Sequence, residues 1–549
     1  MTEQTFSEQI EAIVDAFLQT VVVVDDEALD RPPEPVVPGA ITEVPGRRPV
    51  KIEDSPEPEA PAATPLNVHD LDPKLIIDSF ARRGLVCSVL SPLPDDDVGA
   101  TVLPCVERAD LVIFDWVLNN DDGEQTQALI TEMLDREQQD GRARLRTVAI
   151  YTGQDNLAQI ATELERILSD YHEDFPLTVD ESGLTLTKGP VRITVLAKSE
   201  VRLDENIAER AVAIPDLPDA LRREFAALST GLVTGVSLAA LAALRADTHR
   251  ILSALPPRLD SSYLGHRAAQ AEPSDSEEML VGLVTAEIRS VLDDHDVGAQ
   301  ADDAAISRWL DHHETSELRF GGFPASGREV EIAREELLRM LTEGLGDDDV
   351  LSDTAKRLDN VSEKKLKRIK RDATEMFAWT SDEAAASNAL LSERMAIRTY
   401  YRRPGRGLHL GTLVQDGDDI LVCVQPRCDS IRLKDVRGFP FLRVASVTTD
   451  KGADFMFRVP GSREPLRLRI HKSPFSLQMY ELTATDRGAV FASGDGDTYE
   501  FHTAGELPKT LRWLGQLKPE FAQKVATDLA HEFGRIGLDE HELMRLSRS

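Results

Sequence analysis

The stretch LVIFDWVLNNDDG, Leu111 to Gly123, decides how the N-terminal part of the chain is read. Four apolar residues, Leu111 to Phe114, make the continuous run that a strand covered on both faces requires. Asp115 ends that run, and a carboxylate at the edge of a buried strand is costly unless something pairs with it. Gly123 closes the polar string that follows, so the chain turns away there.

The same pattern recurs outward from this stretch. TVVVV, LVCSVL, DLVIFD, RTVAIYT and ITVLAK are short apolar runs between Thr20 and Lys198, and helical periods such as LDPKLIIDSFARRG and LAQIATELERILSDY alternate with them. This alternation predicts an α/β doubly wound fold with a five-stranded parallel sheet. FPLTVDESGLTLTKGP, with Ser182 and Gly183 at its turn, predicts an added β-hairpin before the fifth strand. In such a sheet the carboxyl ends of the strands share one edge, where ligand crevices form. Asp25 and Asp26 end the first strand, Asp115 the third, Thr152 the fourth and Lys198 the fifth, so these distant residues are expected to meet there.

Clustered carboxylates repel one another, and a hard divalent cation such as Mg²⁺ relieves that repulsion through oxygen ligands. Asp25, Asp26 and Asp115 are therefore candidate Mg²⁺ ligands. An aspartate beside such a cation can attack phosphorus and become an acyl phosphate. Asp115, on the central strand, is the candidate phosphoacceptor. Lys198 would pair with a phosphate oxygen, and the Thr152 hydroxyl would turn toward the new group as a switch.

These residues in this order resemble the receiver domain of two-component response regulators over about the first 200 residues. The resemblance carries over an acidic pair (Asp25, Asp26), a phosphoacceptor (Asp115), a glycine eight positions on (Gly123), a hydroxyl (Thr152) and a lysine (Lys198). It implies a further metal contact from the Val117 backbone carbonyl, Mg²⁺ as cofactor, and a histidine kinase or kinase-like ATPase as phosphoryl donor. Two positions depart from the family pattern: Ser199 stands where proline usually follows the lysine, and Val195 where an aromatic residue is common. The chain is also similar to large bacterial proteins in which a receiver-like domain precedes helical and β regions of unknown role. Haloacid-dehalogenase-like phosphatases, which also use an aspartate after an apolar strand, need a second aspartate two residues later, where this chain has Val117.

With 549 residues the chain is long enough for several domains. We expect a receiver-like domain at 1–200 with a disordered proline-rich insertion at 31–66, a helical bundle at 201–300, and a helical region with a basic helix at 301–396. A small antiparallel β barrel or sandwich is expected at 397–505 and C-terminal helices at 506–549. The net charge of -34 argues against binding nucleic acid or anionic membrane with the whole surface. Four cysteines without a CxxC pair suit a cytoplasmic protein. The uncharged run Phe225–Leu244 reads as a buried helix, and no membrane insertion is expected. Its Gly231 and Gly235 would suit close helix packing, as in a homodimer through the helical region.

DHHE at 311–314 and His249 are expected to be solvated or packed, and Cys423 and Cys428 to be buried structural cysteines. The basic amphipathic segment SEKKLKRIKRDATEMF is expected to be solvated or to pair with the acidic remainder of the chain, and the arginine–tyrosine stretch RTYYRRPGRGLH suits a partner interface as well as nucleic-acid phosphates, a partner that the net charge disfavours. The expected function is that of a phosphorylation-responsive regulator, not a stand-alone enzyme, which relays the state of Asp115 to helical and β output regions. The alternative is a degenerate receiver serving as an interaction scaffold in bacterial stress or phage defence. A nucleic-acid-binding effector is the weaker one.

Overall fold

The computed structural model divides into two compact units, Met1–Glu314 and Thr315–Ser549. It describes residues 4–28, 71–93, 97–139, 144–171, 175–270 and 275–313 of the first. In the second it describes 323–325, 328–330, 334–344, 381–401, 406–448, 452–459, 464–485, 488–494 and 498–534, with a few single positions besides. The insertion at 31–66 and nearly all of the basic segment at 362–377 lie outside the described residues.

In chain order the first unit comprises α1 (Phe6–Phe17), β1 (Thr20–Val24), α2 (Pro73–Ala81), β2 (Val86–Leu90), α3 (Val98–Val106), β3 (Leu111–Phe114), α4 (Glu124–Gln139) and β4 (Arg146–Thr152). There follow α5 (Leu157–Asp170), β5 (Leu177–Val179), β6 (Thr185–Lys188), β7 (Val191–Lys198), β8 (Ala211–Val212), α6 (Leu217–Leu228), α7 (Leu232–Ala254), α8 (Asp260–Ala269), α9 (Asp275–Asp294) and α10 (Asp303–His312). The sheet runs β2-β1-β3-β4-β7-β6-β5, with β8 also beside β7. It has eight strands: the five-stranded parallel sheet and the added hairpin that were expected account for seven, and β8 was not expected. β2, β1, β3, β4 and β7 are parallel, and the antiparallel β5–β6 hairpin and the short parallel β8 extend the β7 edge.

Period-two alternation explains why the strands read as unbroken apolar runs. Val22, Val24, Val112, Phe114, Val148 and Ile150 join the core under α3, α4 and α5. Val21, Val23, Leu111, Ile113, Ala149 and Tyr151 join the opposite core, with Ile10, Ile76, Leu221 and Leu238 of α1, α2, α6 and α7. Each fully buried valine stabilises the sheet by about 1.5 kcal/mol or more, so the strand ends are held firmly in register.

The run Phe225–Leu244 is not a single helix. α6 ends at Leu228, and the Ser229 and Thr230 hydroxyls fold back onto the carbonyls of Phe225 and Ala226, at 3.1 and 3.0 Å. Among the described residues no helix is long and apolar enough to cross a membrane. At Gly235 an added Cβ would lie 3.3 Å from Ile10 Cδ1. The chain's own α1 thus fills the close approach that the glycine offers, and that face is not free for a second copy. Arg245 of α7 holds Asp110 at the opposite, amino-terminal edge of the sheet through two bonds of 2.9 Å.

The second unit contains β9 (Phe323–Ala325), β10 (Arg328–Val330), α11 (Arg334–Glu343), α12 (Ser381–Ala396), β11 (Thr412–Asp416), β12 (Asp419–Cys423) and β13 (Val436–Ser446). β14 (Phe455–Phe457), β15 (Leu466–Ile470), β16 (Leu477–Thr483), β17 (Glu500–His502), β18 (Thr510–Gln516) and α13 (Pro519–Phe533) complete it. Its main sheet is antiparallel, in the order β14-β15-β13-β12-β11-β18-β17 with β16 also on β13, and two apolar clusters line it. The expected helical tail at 506–549 instead opens with β18, whose Leu511 and Leu514 are buried while the strand pairs with β11. The apolar run AVFAS, Ala489 to Ser493, makes only isolated bridges at Phe491 and Ser493.

Candidate functional site

Parallel pairing brings the carboxyl ends of β1, β3, β4 and β7 to one edge. The Asp115 amide donates to the Val24 carbonyl at 2.8 Å, and the Asp25 amide to the Leu90 carbonyl at 3.1 Å. Lys198 enters this edge from β7. Its Nζ lies 3.2 Å from Asp25 Oδ2 and 3.4 Å from Asp115 Oδ2. Asp25, Asp115 and Lys198 are 2, 4 and 2% exposed, so the three charges interact with little water between them.

The remaining lone pairs are met locally. Asp115 Oδ1 accepts from the Trp116 amide at 2.7 Å, and Asp25 Oδ1 from the Glu27 amide at 2.9 Å. Thr126, buried in α4, donates its hydroxyl to the Asp115 carbonyl at 2.8 Å and so fixes the backbone of the acceptor. Asp26 Oδ2 accepts from the Asn119 amide at 2.9 Å, while its Oδ1 is buried without a hydrogen-bond partner.

Burial pushes the Asp115 carboxyl up to about 7; Lys198 opposes the rise and the Asp25 charge adds to it. Burial likewise raises Asp25, against the pull of Lys198. Burial alone would lower the Lys198 ammonium, but the Asp115 and Asp25 charges hold it above its ordinary value. One ammonium is shared by two carboxylates, and this surplus of negative charge is what a divalent cation relieves.

The loop that delivers Asn119 is backbone-strained. Asn119, Asn120, Asp122 and Gly123 have φ of 54, 59, 60 and 94°, a left-handed conformation that asparagine, aspartate and glycine tolerate best. Asp121 supports the turn by accepting from the Leu118 and Gly123 amides at 3.2 and 3.0 Å. Such clustering of unusual backbone is characteristic of functional loops. The string NNDDG, made of the residues that tolerate this backbone best, is where the sequence carries the signal.

The other predicted residues are placed less directly. Thr152 ends β4 and is buried, and its hydroxyl accepts from the Gln154 amide at 3.2 Å. Val117 follows the acceptor and is half-buried against the core. Val195 is wholly buried in the core, and the exposed Ser199 hydroxyl donates to Glu200 Oε1 at 3.0 Å. Sequence reasoning missed Tyr151. It is buried on β4 next to Thr152, and its hydroxyl donates to the Val212 carbonyl of β8 at 2.8 Å. Burial, with the Glu200 and Asp25 charges adding to it, raises this phenol above its ordinary value, so it stays a donor.

The donor set suits a hard cation, and the orphaned Asp26 Oδ1 is a free acceptor beside it. Asp25 and Asp115 converge on Lys198, whereas Asp26 is engaged by the Asn119 amide. Among the described residues no three histidine, cysteine or acidic side chains stand close enough together to hold a metal.

Elsewhere the secondary candidates are structural. His312 Nδ1 lies 3.3 Å from Ser7 Oγ and its ring packs on Phe6, while His249 is exposed on α7. Cys423 is buried and its thiol is pushed up to about 12, whereas Cys428 is exposed, against expectation. In the arginine–tyrosine stretch, Arg406 lies 3.6 Å from the Tyr499 ring centroid and 4.1 Å from that of Trp513, so it packs within its own unit.

A parallel sheet with buried acids and a lysine at its carboxyl edge defines a receiver-type α/β domain. A family model described as a response receiver domain matches residues 17–203, so this N-terminal region is a response receiver domain; the chain beyond residue 203 lies outside the match. Comparisons with curated proteins and with solved structures found no match.

Proposed function

We infer that the chain is a signalling regulator, a role that its receiver domain supports. We propose that it accepts a phosphoryl group on Asp115, from a histidine kinase or kinase-like ATPase, and relays the change to its helical and β regions. The observation that carries this reading is the buried contact of Lys198 with both Asp115 and Asp25. In the reaction, an Asp115 oxygen attacks phosphorus and the new acyl phosphate bond forms as the bond to the donor breaks, its electron pair leaving with the donor group. Lys198 then moves from carboxylate to phosphoryl oxygen. Asp25, Asp26, Asp115 and the Val117 carbonyl would hold Mg²⁺, which when bound supplies neutralisation of phosphoryl oxygens. The chain is thus a phosphoacceptor and not a stand-alone enzyme.

Phosphoramidate with Mg²⁺, followed by hydroxylamine trapping, tests the reading. An acyl phosphate is converted to a hydroxamate at Asp115, whereas a product at any other residue contradicts it. One observation favours a second reading, a receiver that keeps the fold as an interaction platform: Lys198 already engages Asp25 and Asp115, and the Asn119 amide engages Asp26. Absence of any modification would favour it.

A further inference from the structure

The strand β8 has only two residues, yet it sits directly on the candidate site. Ala211 pairs with Ala197 and Val212 with Lys198, the residue whose ammonium holds Asp25 and Asp115. The Val212 carbonyl also accepts the Tyr151 hydroxyl, and Tyr151 immediately precedes Thr152. Both residues that would respond to a group on Asp115 are therefore one bond, or one residue, from β8.

What flanks β8 differs on its two sides. Arg210, just before it, is fastened by Asp180, Ser182, Thr185, Thr194 and Glu224. After Val212 the chain passes through one 3₁₀ turn, Ile214–Asp216, into α6. α6 in turn reaches α1 through the pairing of Arg222 with Glu11 and Asp15, each at 3.0 Å. A cavity of about 510 Å³, lined by Leu196, Val212, Arg223 and Glu224 among others, lies beside the strand and gives it room to shift. A short, weakly paired element between a fastened point and a helix is the kind of segment that two arrangements can share.

We propose that β8 reports the state of Asp115, with Tyr151 as the positioning residue that holds it on β7 in the unmodified protein. This deepens the proposed phosphoacceptor role and rests on it. Lys198 interacts differently with the two states: in one it holds two carboxylates, in the other phosphoryl oxygens, and that difference is what shifts an equilibrium. When Lys198 swings to the phosphoryl group, the Lys198–Val212 pairing loosens, and α6 is released at its amino end.

Amide hydrogen exchange on the full-length chain, with and without Mg²⁺ and acetyl phosphate, tests this, while intact mass reads the extent of modification in the same samples. In the wild type, exchange at residues 211–217 is expected to quicken roughly fivefold or more on modification. In Tyr151→Phe those amides are expected to exchange fast before any donor is added and to change little afterwards. Modified wild type with unchanged exchange at 211–217 overturns the role of β8. A full donor-dependent change retained in Tyr151→Phe overturns the role of Tyr151. No added phosphoryl group in the wild type overturns the phosphoacceptor reading and this inference together, an outcome that the mass alone distinguishes.

Discussion

Lys198 Nζ lies 3.4 Å from Asp115 Oδ2, with both side chains almost wholly removed from water, although the residues stand 83 positions apart. A charge so placed compensates both buried carboxylates, Asp25 and Asp115. Removing one partner of a buried ion pair leaves the other uncompensated and costs roughly 3–5 kcal/mol. Lys198→Met is expected to destabilise the protein by about this much at pH 7, because Asp25 and Asp115 both lose their partner. Urea unfolding should show a smaller cost in an Asp115→Asn background, where one carboxylate fewer is left. Equal costs in the two backgrounds would mean that the pair is not coupled.

The raised Asp115 pKa makes a pH prediction with a definite sign. In the folded chain this carboxyl holds its proton up to about pH 7, whereas the unfolded chain releases it near the ordinary aspartate value of about 4. Between those values the folded state binds more protons, so its stability falls as pH rises from about 4 to 7 and levels off above. Asp25, raised for the same reason, acts in the same direction. In EDTA, the stability of Asp115→Asn relative to wild type should grow by a few kcal/mol, on the order of 4 at most, across this range. A difference that does not depend on pH would contradict the burial argument.

Gly123 has φ of 94°, and a Cβ there would fall within the Trp116 indole. Gly123→Ala is expected to cost on the order of 1–3 kcal/mol through left-handed strain and the clash together. Thermal unfolding of this variant, alone and combined with Trp116→Leu, separates the two causes. Only the clash should be relieved in the double variant.

Arg245 joins α7 to Asp110, which also accepts from the Gln19 and Thr20 amides at 2.9 and 3.1 Å. Because Arg245 is about a quarter exposed, with 27% of its side chain open to water, its pair is partly screened. Arg245→Gln is expected to lower stability by about 1 kcal/mol and to quicken amide exchange along residues 232–254 more than in the sheet. Uniform change throughout the unit would show that the clamp has no local role.

The fold was legible where one physical rule acts alone. Burial on both faces forces β-branched runs, so β1, β3, β4 and β7 stood out; β2, an edge strand with exposed positions, still read as an apolar run, and Ser182 and Gly183 at the turn announced the β5–β6 hairpin. β8 was not legible because two residues carry no period. β18 was missed because the helical spacing of Val525 and Leu529 in α13 dominated the reading of the tail. LQMYELT, which forms β16, buries only Tyr480 and Leu482, too few positions to mark a strand by alternation alone. At the site, strand-end positions followed from the order of the strands. That Lys198 divides itself between two acids, and that Tyr151 reaches β8, depends on side-chain directions across the sheet that no local pattern encodes.

The measurement that bears most directly on the central claim is the intact mass of the full-length chain after incubation with Mg²⁺ and acetyl phosphate, for wild type and Asp115→Asn side by side. One added phosphoryl group is expected on the wild type, lost when Mg²⁺ is withheld, and none on Asp115→Asn. A wild type that gains no phosphoryl group from acetyl phosphate or from its own kinase, or an Asp115→Asn chain that gains one equally well, would contradict it.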